Sequence, residues 1–201
     1  MTERLQPDED GLAAASAILR AGGLVAYPTD TVYGISCRIG DEAAVARLFE
    51  AKRRPIEKRV QWLVASLDQA LERGYVANDR ARALADACWP GGLTIVLPGS
   101  DGLPTQGIRV PDHPVALALI ERSGPLVTSS ANRSGEPETY DADDVAVAFA
   151  DSDLLDAIVD GGHVPGGVAS SVVDLSVDPP RLLREGAIDR ARLEALIGRI
   201  D

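Results

Sequence analysis

Aromatic side chains make up only 4% of this 201-residue chain, and histidine occurs twice. A core must therefore come from Ala, Val, Leu and Ile, which the 45% hydrophobic content can supply. Cysteine is as scarce. Cys37 and Cys88 stand far apart with no CxxC pattern, which speaks against a disulfide framework or a cysteine-based structural zinc site. Both are expected as buried free thiols. No apolar run approaches the roughly 20 residues of a membrane-spanning helix. The start, Met1 to Asp10, is acidic and polar, unlike a secretory signal. The expected location is the cytosol, with no membrane partner. Positive charge is in deficit, 20 Lys and Arg against 31 Asp and Glu, a net charge of −11. That excludes a protein whose main work is gripping a nucleic-acid backbone, while leaving room for a local basic cleft.

Several chemical signatures are missing too. There is no GxxxxGK[ST] phosphate loop, no GxSxG elbow and no HExxH helix. His113, in Asp112-His113-Pro114, is expected to cap a helix rather than bind metal. His163 sits in a glycine-rich loop without obvious partners.

What remains is an alternation of short strands and helices. Helical spacing of Leu12, Ala15, Ile18 and Leu19 predicts a helix within 7–20, closed by Gly22-Gly23. Further helices are expected over 67–73, 78–89, 114–122, 141–149 and 187–199, and one after an Asp41 N-cap carrying Val45, Leu48 and Phe49. Pro114 fits a first helical position. Strands are expected at 24–27, 61–65, 93–97, 107–110, 126–129 and 157–160, with a paired set at 171–175 and 181–184. Many connections are too short for regular βαβ units. The expected fold is thus α/β, a twisted mixed sheet flanked by helices, in one domain spanning 1–201. No repeat, low-complexity stretch or linker divides it.

Four polar segments follow or interrupt apolar strands, where α/β sheets usually place ligands. Residues 27–34 (YPTDTVYG) gather hydroxyls and a carboxylate; they read as a capped turn or as a site for a small polar ligand. Residues 52–59 (KRRPIEKR) hold five cations around a proline, which makes either a polyphosphate clamp or a solvated charge run. Residues 128–135 (TSSANRSG) follow a strand and read as a phosphate or ribose cradle, or as a Ser/Asn-rich loop. Residues 166–174 (GGVASSVVD), with Arg184 beyond, read as a closing segment or a bulged hairpin.

Together these segments resemble the YrdC/TsaC family, the L-threonylcarbamoyladenylate synthases of tRNA modification. The motifs appear in family order as PTDTVYG (28–34), KRRP (52–55), WPGGLT (89–94), IRVPDHP (108–114), TSSANRSG (128–135), SSVVDL (170–175) and LLREG (182–186). They span about Leu12 to Gly186. The resemblance implies a twisted α/β sheet around a large concave cleft. It also implies condensation of L-threonine, bicarbonate or CO2 and ATP into threonylcarbamoyl-AMP, with release of pyrophosphate. A threonylcarbamoyl-transferase complex would then act on tRNA. The family's KxR and SxN elements fall on Lys52, Arg54, Ser130 and Asn132, implied to be catalytic and to hold ATP together with Lys58, Thr128 and Arg184. Thr31, Arg109 and Ser170 are implied to bind threonine, with Arg109 on its carboxylate. Mg²⁺ is expected to arrive with ATP, and no resident metal ligands are expected. Closing segments are expected at 134–140 and 161–169.

The chain departs from the family pattern at Arg59-Val60-Gln61 and at Leu63, near which some longer members carry a histidine. Nothing follows Asp201, so the short form without the extra C-terminal domain is expected. Competing readings are an RNA-binding module of the same fold with direct RNA contact, a carbamoyl-transfer domain, and a paralogue that has lost activity. The KxR and SxN elements, both present, weigh against the last.

Overall fold

The computed structural model describes residues 2–165 and 168–201. Helices form where a polar side chain caps the first turn and an apolar stripe follows. They are α1 (Glu9–Arg20), α2 (Glu42–Ala51), α3 (Leu67–Leu71), α4 (Asp79–Cys88), α5 (Pro114–Ser123), α6 (Ala142–Ala148) and α7 (Arg190–Ile197). Asp8, Asp41, Ser66, Asn78, His113, Asp141 and Asp189 each accept a first-turn backbone N–H of the helix that follows. His113 is such a cap, its Nδ1 accepting from Val115 N at 3.3 Å.

The strands are β1 (Glu3–Leu5), β2 (Val25–Pro28), β3 (Tyr33–Arg38), β4 (Gln61–Leu63), β5 (Leu93–Leu97), β6 (Gln106–Arg109), β7 (Leu126–Ser130), β8 (Ala157–Val159), β9 (Ser171–Asp174) and β10 (Arg181–Arg184). Among the described residues they form one sheet in the order β1-β8-β2-β3-β7-β4-β6-β5-β9-β10. Parallel pairs (β1 with β8, β2 with β8, β4 with β6, β5 with β9) mix with antiparallel ones, so the expected mixed sheet flanked by helices is found.

Two strands were not expected from the sequence. In β3, buried Tyr33, Ile35 and Cys37 alternate with Gly34, Ser36 and Arg38, a period-two pattern hidden behind the ligand-like residues before it. β1 brings only Leu5 to the core and is held by its ladder to β8. The last helix begins at Arg190 rather than Ala187, because Asp189 caps it. His163, unpartnered as read from the sequence, lies 3.7 Å from Asp141. Both cysteines are free and buried, as expected.

The register explains where an open face arises. One face is backed throughout. α2 and α6 supply Leu48 and Val145 against Tyr33, Ile35 and Val127; α4 and α7 supply Leu84 and Leu193 against Leu93, Ile95, Ile108 and Val173. On the opposite face, α1 and α5 cover only one half, with Leu19, Leu119 and Ile120 on Val25, Tyr27, Leu63 and Leu126. A row of paired residues crosses that face: Ser36, Thr128, Gln61, Gly107, Val96 and Asp174. It starts in the buried half, where Ser36 Oγ and Thr128 Oγ1 share a hydrogen bond, and ends lining a cavity.

Candidate active site

The cavity encloses about 540 Å³. Its floor is the uncovered sheet face, with Gln61, Thr94, Val96, Gly107 and Asp174. Thr31 and Val32 follow β2 on one wall, and Arg54 and Arg59 arrive from the loop after α2. Ser129, Ser130 and Glu138 come from the end of β7 and beyond, and Ser170 and Arg184 close the far side.

At one end the cationic loop folds back over the serine–asparagine turn. The Lys52 Nζ donates to the carbonyl oxygens of Ser130 and Asn132, and Ser134 N donates to Lys52 O at 2.9 Å. Lys52 is 1% exposed and lies beneath the loop rather than in the cavity wall. Asn132 has its amide on the same loop: its Oδ1 accepts from Ser130 Oγ at 2.6 Å and its Nδ2 donates to Glu136 O at 2.6 Å. Lys58 is exposed, and only its backbone carbonyl enters the network, accepting from Arg54 Nε at 3.1 Å. The two loops are clipped together from behind. Arg133 donates to the last carbonyls of α2 and α6, Ala51 O and Ala148 O, and stacks over Phe149. Asp151 then pairs with both Arg133 and Arg53.

Charge at this end is strained by burial. Desolvation lowers the Lys52 ammonium to about 7, Arg54 adding to the effect and Glu138 opposing it. Between about 7 and the ordinary lysine value of 10.5, an unfolded chain keeps a proton that the folded chain has released. Stability should therefore rise with pH across that window, by at most about 1.4 kcal/mol per unit from this group. Below it, the cost of burying the charge is present in full. Urea denaturation of wild type and Lys52→Met at pH 6, 7.5 and 9 checks this, because the variant should lack that part of the slope. Burial also lowers the Arg54 and Arg184 guanidinium groups; Arg184 adds to the effect on Arg54, and Arg109 to that on Arg184. Arginine stays charged under such shifts, so the cavity holds several desolvated cations near one another.

At the other end, Arg109 is 3% exposed. It donates to Gly91 O at 2.9 Å, to Thr31 Oγ1 at 3.0 Å and to Asp30 Oδ1 at 2.6 Å. These bonds occupy part of its five-donor fork and fix its plane. A second chain of bonds crosses the floor. Thr94 Oγ1 donates to Gln61 Oε1 at 2.6 Å and meets Ser170 Oγ at 3.0 Å, and Arg184 donates to Ser170 O and Oγ at 2.8 and 3.0 Å. Gly186 lets Ser170 come this close. A Cβ there would lie 2.1 Å from Ala169 O and 2.8 Å from Ser170 C, both backbone atoms. Gly186→Ala should therefore lower stability by about 1–3 kcal/mol through forced backbone movement, read as a lower urea midpoint.

Thr31, Arg54, Arg109, Thr128, Ser130, Ser170 and Arg184 thus share one cavity, while Lys52, Lys58 and Asn132 stand outside its lining. Gln61, Thr94 and Glu138 were not singled out in the sequence. Thr94 was legible as the polar residue between Leu93 and Ile95 of one strand, and Gln61 as the start of another. Leu63 is a core residue, 1% exposed, packed among the residues that α1 and α5 cover. The glycine pair Gly166-Gly167, read above as part of a closing segment, lies outside the described residues. Among the described residues no helix is long and apolar enough to cross a membrane.

An incomplete helical cover over a mixed sheet, with arginines lining the uncovered half, defines an α/β protein with an open, cation-lined cavity. Comparison makes this specific. The family model Sua5_yciO_yrdC, described as "Telomere recombination", matches residues 17–186. The threonylcarbamoyl-AMP synthase of Bacillus subtilis is 39% identical over 210 residues, covering 100% of this chain and 60% of that protein. The threonylcarbamoyl-AMP synthase of Pyrococcus abyssi is 41% identical over 202 residues, covering 96% and 59%. The crystal structure of P. abyssi Sua5 complexed with L-threonine superposes with a TM-score of 0.90 at 38% identity, covering 100% of this chain and 62% of that one. This chain belongs to the Sua5/YciO/YrdC family. It spans about three fifths of the length of these relatives.

Proposed function

We propose that this chain is an L-threonylcarbamoyladenylate synthase, joining L-threonine, bicarbonate or CO2 and ATP into threonylcarbamoyl-AMP with release of pyrophosphate. One observation carries the reading: Arg54 and Arg184, from distant parts of the chain, both line one cavity in which burial disfavours their charge. Like charges gathered in one partly buried cavity are compensated by an anion of several charges, and a triphosphate supplies one. The relatives' names, and the L-threonine in the P. abyssi structure, support the choice of reaction.

In this reading the residues divide the work as follows. Arg109, its plane set by Asp30 and Thr31, offers its remaining N–H groups to the amino acid carboxylate. Ser170, tied to Thr94 and Arg184, borders the amino acid and the phosphates. The threonine amine takes up CO2 to give a carbamate, whose oxygen attacks the α-phosphorus as the bond to pyrophosphate breaks. Arg54 and Arg184 stabilise the charge that grows on the phosphoryl oxygens and on the departing pyrophosphate. Thr128 and Ser130 offer hydroxyls to the nucleotide, Lys52 and Asn132 hold the loop that presents them, and Lys58 adds positive charge at the mouth. A magnesium ion arriving with ATP neutralises phosphate charge. The product would pass to a threonylcarbamoyl-transferase complex acting on tRNA.

A pyrophosphate-release assay tests this. Release should require ATP, threonine and bicarbonate together; release that persists without threonine, or salt-sensitive RNA binding with no release at all, would overturn the reading.

A further inference from the structure

Glu138 is a carboxylate in a cavity otherwise rich in cations. The chain on both sides of it is pinned. Asn132 Nδ2 donates to Glu136 O at 2.6 Å, Thr139 Oγ1 donates to Ala131 O at 3.2 Å, and Tyr33 N donates to Thr139 O at 2.9 Å. Glu138 therefore borders the cavity from a held backbone. Its Oε2 is buried and has no hydrogen-bond partner among the described residues. A carboxylate oxygen out of water without a partner is costly, so the position is poorly explained as structure alone. Nor is it half of an ion pair. Its charge acts on Lys52 and on Arg184, yet among the described residues it lies within salt-bridge distance of neither.

Glu138 lines the same cavity as Arg54 and Arg184, close enough for its charge to act on Arg184 and on the buried Lys52. A bare triphosphate entering there would meet a fixed negative charge. A hard divalent cation removes the conflict, because such ions are typically held by one or two carboxylates together with phosphate oxygens and water. We infer that Glu138 is the protein's own ligand for the divalent cation that accompanies the triphosphate, through its carboxylate. The carboxylate would hold the ion, and Arg54 and Arg184 would offset the remaining phosphate charge. This rests on the reading of the cavity as a triphosphate site.

The test uses the whole chain, wild type and the near-isosteric Glu138→Gln, with the non-hydrolysable β,γ-imido analogue of ATP. Mn²⁺ is titrated into protein and analogue, with free Mn²⁺ read by electron paramagnetic resonance; analogue binding is also measured in EDTA. Thermal melting of both proteins is recorded to show that the variant is folded. Glu138→Gln should weaken Mn²⁺ binding to the complex about tenfold or more, and should tighten analogue binding in EDTA, because a like charge is gone. These opposite signs are expected of a cation ligand and not of a residue that only supports the fold. Unchanged Mn²⁺ affinity in a variant that still binds the analogue overturns the assignment alone. Tighter binding of the analogue with and without Mn²⁺ also overturns it, leaving Glu138 a mere source of repulsion. A wild type that binds no analogue under either condition overturns the triphosphate reading and the assignment with it.

Discussion

Lys52→Ala is expected to reduce threonine-dependent pyrophosphate release by on the order of 10²–10³-fold, the scale seen when one preorganised donor is lost from a reacting centre. The cause differs from that expected of Arg54→Ala. Lys52 does not line the cavity; its ammonium holds the carbonyls of Ser130 and Asn132, and so the loop that carries the Ser130 hydroxyl. Removing it leaves two carbonyl oxygens short of a donor beneath that loop, and stability should fall along with turnover, by roughly 1–3 kcal/mol. The relief of a costly buried charge offsets part of that fall. Arg54 reaches the cavity itself and is half-buried, so Arg54→Ala should lose turnover with much less change in stability. Pyrophosphate release and urea denaturation on the two variants separate these cases. Normal turnover in either variant would remove its residue from the proposed machinery.

Arg109→Ala should have the largest combined effect. Asp30, largely shielded from solvent, is paired with Arg109 at 2.6 Å, and truncating one member of a buried pair typically costs about 3–5 kcal/mol. Threonine binding should be lost as well, since the guanidinium assigned to the carboxylate is gone. The stability loss alone confounds this variant, which is why the double variant Arg109→Met with Asp30→Asn is the sharper reagent. It removes both charges, leaves no unpaired carboxylate, and keeps a side chain of similar length in the cavity wall. In calorimetry the double variant should bind an ATP analogue within a few-fold of wild type while its affinity for threonine drops by a factor of 10² or more. Equal loss of both ligands would show that Arg109 shapes the whole cavity instead of clamping a carboxylate.

Much of this architecture was legible in the residues. Asp41, Asn78, Asp141 and Pro114 marked helix starts because capping is local chemistry, settled within four residues. The meeting of Arg54 with Ser130 was legible only through family resemblance, since nothing in either segment says that they approach. β3 escaped because its glycine and serine positions face the crowded side of the sheet, where Gly34 sits 3.2 Å from Thr128 Cγ2 by its would-be Cβ, and small residues there look like a loop. The placement of Lys52 was hidden for a different reason. A lysine in a charge run reads as solvent-facing or ligand-facing, and only tertiary packing could turn it inward under two carbonyls. Glu138 was passed over because a lone acid in a polar connection has no local signature; its meaning comes from the arginines that other segments bring to it.

The clip behind the two loops has a mechanical result. Because Asp151 pairs with both Arg53 and Arg133, the cationic stretch and the serine–asparagine stretch share an outer tie in addition to the inner one through Lys52. Arg53 and Asp151 are mostly exposed, so the outer tie contributes little alone, and its loss would leave the buried lysine to keep the two stretches together.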